Sequence, residues 1–216
     1  MNELAVIEQA EYVKKWCREY GIGILLGIIF ALFISWSWSY WRQSKENNLV
    51  AASMQYEHLV SAIASSENTS ALNSLAAGLF KNYTHTPYAS LAALQLAKVD
   101  VDQNNLPDAA NRLVWIIDQG HDQTLKSIAR LRLVRILLAQ NKAKEALKVL
   151  SKNEDKAYVP IFSEERGDIF KNLGHNKEAL QNYLAAKQAF ASMIEQPLLE
   201  MKINNLARTL DENSND

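Results

Sequence analysis

Side chains able to do chemistry are few and scattered in this 216-residue chain. Its four histidines, His58, His85, His121 and His175, lie far apart in sequence. They show no H-x-x-x-H spacing and no cysteine pairing of the kind that builds a zinc site. His121 and His175 fall in segments expected to be turns, where a solvated imidazole is the plain reading. Cys17 is the single cysteine, so no intramolecular disulfide can form. Carboxylates cluster at Asp100/Asp102 and at Glu164/Glu165/Asp168. The second group sits in an early helical turn, where acids favour the helix dipole, and it is not read as an acid–base dyad. No Walker loop, no G-x-G-x-x-G and no G-x-S-x-G occurs. Arg166-Gly167-Asp168, inside a predicted helix, reads as packing and surface rather than as an adhesion tripeptide. No catalytic residue, metal site or cofactor is assigned, and no small-molecule substrate is expected. A formal net charge of −1 supplies no basic field for nucleic acid.

One charged pattern stands out. Arg130, Arg132 and Arg135, with Lys126, give one predicted helix a basic stripe. A solvated helix face is the plain reading. The sharper one is a contact surface for an acidic segment of a partner protein.

Those residues must be carried by helices. From Gln43 onward the helical period dominates, with no alternating strand and no Asn-Gly or Asp-Gly hairpin turn. Seven glycines and four prolines are too few for a turn-rich β-sandwich or a disordered linker. Three segments align with one another: 102–109, 139–146 and 172–179. Each runs through a polar turn and an acidic residue to an alanine that opens an amphipathic helix. The alanines Ala109, Ala146 and Ala179 recur near the roughly 34-residue period of tetratricopeptide repeats. Upstream of each, Ala97, Val134 and Gly167 occupy the place where a first helix needs a small side chain; Val134 fits least well. Leu49–Ala64 and Ser70–Tyr83 read as a further pair, its first helix continuous with the segment before it. Leu198–Leu210 reads as a capping helix with a polar outer face, and the tail after it as polar and frayed. The competing reading is an irregular helical bundle whose period is accidental.

Between Glu19 and Arg42 there is no charged residue. A helix over 20–41 spans roughly 33 Å, enough for a hydrocarbon core of about 30 Å. Tyr20 stands at one end and Trp36, Trp38, Tyr40 and Trp41 at the other, as at two membrane interfaces. Gly23-x-x-x-Gly27 has the spacing that lets a second membrane helix approach closely. The exit Ser-Trp-Ser-Tyr-Trp-Arg is a poor cleavage site, so the segment reads as a retained anchor rather than a signal peptide. Lys14, Lys15 and Arg18 before it, against Arg42 and Lys45 after it, give a thin positive-inside bias, and the short N-terminal tail also favours an N-terminus inside. The expected organisation is a cytoplasmic tail over 1–19, a transmembrane helix over 20–41 and an exported helical domain over 42–216. The fold class is all-α, a single membrane helix followed by a tetratricopeptide-like solenoid.

That order of features resembles the YfgM family of bacterial inner-membrane proteins. The likeness runs through the anchor ending Ser39-Tyr40-Trp41-Arg42, Tyr88-Ala-Ser-Leu-Ala-Ala-Leu-Gln-Leu-Ala97, Leu131-Arg-Leu-Val-Arg135, Arg166-Gly167-Asp168 and Met201-Lys-Ile-Asn-Asn-Leu206. This chain departs from it in a polar tail after Leu206 and a richly aromatic anchor exit. The resemblance implies an ancillary subunit of the SecYEG translocon with its repeats in the periplasm. It further implies association with the periplasmic chaperone PpiD, assistance to newly translocated proteins, and no enzymatic residues. A repeat scaffold for envelope assembly or cell division is the alternative.

Overall fold

The computed structural model describes residues 3–151, 156–190 and 196–212, and within 3–28 the side chains of Tyr20, Gly23 and Gly27 alone. Nine α-helices occur among them: α1 Glu3–Ala64, α2 Thr69–Asn82, α3 Pro87–Asp102, α4 Leu106–Gln119, α5 Gln123–Ala139, α6 Ala143–Leu150, α7 Val159–Asn172, α8 Asn176–Ala189 and α9 Pro197–Glu212. A 3-10 turn over Lys156–Tyr158 precedes α7. No strand occurs among the described residues. The chain divides into two compact units, Met1–Val50 and Ala51–Asp216.

The first unit is helical throughout its described residues. Its surface is apolar where a water-soluble helix would be mixed: Phe30, Leu32, Phe33, Trp36 and Trp38 are all well exposed. Trp36 stacks on Tyr40 with ring centroids 6.2 Å apart, and Trp38 tilts against Trp41 at 5.7 Å. Lys45 Nζ lies 3.7 Å above the Trp41 ring. The 20–41 span includes residues 21, 22, 24–26 and 28, whose side chains lie outside the described set. Among the described residues no helix is long and apolar enough to cross a membrane.

The second unit is built from helix pairs, and one backbone device joins each pair. Ser66, Asn104, Asn141 and Gly174 adopt left-handed φ values of 56°, 58°, 59° and 79°. The next N–H then reaches back over the end of the preceding helix. Asn105 N–H donates to Asp100 O at 2.7 Å, Lys142 to Leu137 at 2.8 Å and His175 to Phe170 at 2.9 Å. This is the bond of a Schellman ending, and Asn and Gly are the residues that enter the left-handed region at least cost. All three positions fall at the same place in the three aligned segments. Ser66 makes the same turn between α1 and α2, with Glu67 N–H on Ala62 O at 3.1 Å. Here Glu67 intervenes between the left-handed residue and the N-cap Asn68, so the register slips by one and Leu72 takes the buried place held elsewhere by an alanine.

Packing follows the pattern read from the sequence. Ala109, Ala146 and Ala179 are wholly buried. Asn68, Asn105 and Asp122 cap α2, α4 and α5 by accepting from Ala71, Asp108 and Leu125 N–H. Pro107 sits in the first turn of α4, where its missing N–H costs nothing. Val134, the least apt of the small-position residues, is fully buried with a branched side chain. Gly167 meets the opposite demand, because the Tyr183 ring lies directly over it. α9 closes the C-terminal end, with Leu199 and Leu206 packed against Ala179, Tyr183 and Ala186 of α8. It extends through Asp211 and Glu212, further than the frayed tail expected there; residues 213–216 lie outside the described set.

Candidate functional site: the α3–α5 cleft

Four of the five clustered carboxylates, Asp100, Glu164, Glu165 and Asp168, are committed to holding helices together. Asp100 is buried and ion-paired to Arg112 Nε, while Arg112 Nη2 donates to Asn73 Oδ1 at 2.8 Å, so α2, α3 and α4 meet in one polar cluster. On α7, Glu165 accepts from Arg135 Nε and Nη2 at 2.8 and 2.6 Å. Lys202 of α9 donates to Glu164 and Asp168, each at 2.8 Å, and Tyr183 of α8 donates its hydroxyl to Asp168 at 2.7 Å. One helix therefore ties α5, α8 and α9 by charge-assisted hydrogen bonds. Burial pushes the Glu165 carboxyl above its ordinary range, although Arg135 opposes this. Burial and the hydrogen bond to Asp168 both raise the Tyr183 phenol. For Lys202 burial works against the charge, but the bonds to Asp168 and Glu164 outweigh it and hold the ammonium above its usual value.

The histidines differ from the sequence reading in one respect. His85 and His121, far apart in the chain, meet across the α2–α3 and α4–α5 loops with Nδ1 and Nε2 3.0 Å apart. No group of three or more metal-ligating side chains forms among the described residues.

The three arginines do not share one exposed face, which corrects the basic stripe. At about 100° of rotation per residue, positions 130 and 132 point to nearly opposite sides of a helix, whereas 132 and 135 are neighbours. Arg130 is only 8% exposed, and its Nη1 has no hydrogen-bond partner among the described residues. Arg132 and Arg135 are both exposed. They stand at a cleft of about 270 Å³ between α3 and α5, lined also by Ala97, Lys98, Val101, Leu113 and Ile136. Its walls are hydrocarbon, and the described residues that line it include three cations and no acid. Arg132 Nη1 donates to Leu94 O at 3.4 Å, which holds the side chain across α3.

Lys98 was missed because a search along one helix cannot see a residue on the next. A signal was available in the repeat alignment. Lys98, Arg135 and Asp168 each follow the small-side-chain position, at Ala97, Val134 and Gly167, so they occupy equivalent places on α3, α5 and α7.

Similar proteins match nearly the whole chain. Residues 14–208 match the family described as a tetratricopeptide repeat-like domain. The ancillary SecYEG translocon subunit of Escherichia coli (strain K12) is 28% identical over 200 residues, covering 93% of this chain and 96% of that protein. Those of Haemophilus influenzae and Aggregatibacter actinomycetemcomitans are 26% and 27% identical, covering 92% and 90% of this chain and 96% and 94% of theirs. These relatives are named as subunits of an assembly. Helix pairs with a shared turn, an equivalent position on each first helix and a match over nearly the whole length agree: the chain belongs to the tetratricopeptide repeat-like family, among the YfgM-type proteins that its sequence resembles.

Proposed function

We propose that the chain is a membrane-anchored interaction scaffold, an ancillary subunit of the SecYEG translocon. The observation that carries this is the extent of the family match, 14–208, which takes in the apolar segment and every helix pair together. The relatives' printed role comes to this chain through that shared layout. The exposed side chains of the first unit support an anchor. Ile29, Phe30, Leu32, Phe33 and Ile34 are 54, 66, 65, 62 and 51% exposed. Leaving such residues in water forfeits about 1.5–3 kcal/mol each, so a hydrocarbon surrounding fits them better. The rings of Trp36, Trp38, Tyr40 and Trp41 then belong at the headgroup level.

On this reading residues 1–19 are cytoplasmic, 20–41 span the inner membrane and 42–216 lie in the periplasm. A Cβ at Gly23 or Gly27 would meet nothing within 4 Å, which leaves both free to face another membrane helix. The exported repeats associate with the chaperone PpiD and assist newly translocated proteins. The anchor holds the repeats near membrane-bound partners and so raises their effective concentration there. A photo-activated crosslinker at positions in 20–41 tests the assignment: adducts with translocon subunits are expected, and their absence from a functional preparation refutes it. Protease added to intact spheroplasts should digest the domain from Gln43 onward.

A further inference from the structure

We infer that the α3–α5 cleft takes one bulky apolar side chain of a partner peptide that carries carboxylates on either side of it. This rests on the scaffold reading and names the chemistry of what the scaffold holds. At about 270 Å³ the cleft is smaller than the ~300–1,000 Å³ of small-molecule and cofactor sites, so it suits a side chain rather than a whole ligand. Ala97, Val101, Leu113 and Ile136 supply the walls, and Val101 remains 41% exposed, uncovered by any of the described residues.

The rim decides what may flank the apolar anchor. Lys98 and Arg132 form no ion pair among the described residues. Arg135 commits Nε and Nη2 to Glu165, but its side chain is 68% exposed and Nη1 is uncommitted. Three cations line the opening, drawn from two adjacent first helices, and the one carboxylate paired to them, Glu165 on Arg135, lies outside the lining. A guanidinium fork matches a carboxylate, and an apolar side chain seated beside it strengthens the attraction by displacing water. A basic peptide is repelled here, and a purely acidic one leaves the hydrocarbon walls wet.

The test uses the full chain in nanodiscs of neutral lipid, with fluorescence anisotropy of a labelled, end-blocked peptide bearing a leucine between two aspartates. That peptide should bind, and binding should weaken with added salt. Replacing the leucine by serine, or the aspartates by lysines, should each weaken it about tenfold or more. In the protein, Lys98→Glu with Arg132→Glu should give a loss of similar size, and Val101→Ser a smaller one, with thermal unfolding unchanged. Equal binding of the lysine-flanked peptide, or unaltered affinity in the variants, overturns the inference. So does competition by phosphatidylglycerol vesicles that Lys98→Glu and Arg132→Glu abolish, since the cations would then serve a lipid surface. Crosslinking from 20–41 should be untouched by these substitutions, so failure at the cleft is separable from failure of the scaffold assignment.

Discussion

Gly167→Ala adds a single methyl group in the middle of α7 and should destabilise the domain. Alanine is the better helix former by about 1 kcal/mol, so at an exposed helix position the change would be favourable. At Gly167 a new Cβ would stand 3.0 Å from Tyr183 Cζ and closer still to Cδ1 and Cε1, where ordinary contact begins near 3.4 Å. The ring cannot step aside freely, because Tyr183 is wholly buried and its hydroxyl is held by Asp168. Overpacking of this kind costs about 1–3 kcal/mol, occasionally more, and an overlap spread over three ring atoms puts it at the upper end. Set against the helix gain, the net loss is about 2 kcal/mol. For a chain of this size that lowers the unfolding midpoint by roughly 4–8 °C. Circular dichroism at 222 nm during thermal or urea unfolding reads it directly. The decisive control is the double variant. In a Tyr183→Ala background the obstacle is gone, and Gly167→Ala should become stabilising by about 1 kcal/mol. If Gly167→Ala is neutral or stabilising in the wild-type background, the close packing of α7 on α8 is not what requires glycine.

Glu165 should give stability a pH dependence that Glu165→Gln removes. Its folded-state pKa is raised, so the protonated form is the one folding favours. That contribution is fully present below the unfolded value near 4.5 and is lost as pH rises through the folded value. Urea titrations from neutral pH down to about 4 should show wild type gaining on the Gln variant as pH falls; a constant gap refutes the assignment. Asn141→Val should destabilise by about 1–2 kcal/mol, because a branched residue resists the left-handed backbone there, whereas Asn141→Gly should be nearly neutral. Equal melting temperatures for the two variants would show that the turn does not depend on that conformation.

Much of this molecule was legible in sequence because its determinants are local. The helical period, the paucity of glycine and proline and the aromatic-flanked uncharged window all lie within short stretches of chain. So do the three aligned turns, whose third residues, Asn104, Asn141 and Gly174, share one backbone conformation. The residues read as closely packed, Ala97, Val134 and Gly167, took their places because repeat spacing alone specifies which side of each first helix meets its neighbour. Tertiary structure decided the rest. Arg130 turned inward while Arg132 and Arg135 stayed out, since facing depends on rotation about the helix and not on nearness in sequence. The acids at 164, 165 and 168 proved to be ties to α5 and α9, because their partners Arg135 and Lys202 arrive from remote segments. His85 came against His121, and Lys98 came to share a rim with Arg132, for the same reason: stacking helix pairs brings together side chains that the linear order holds apart.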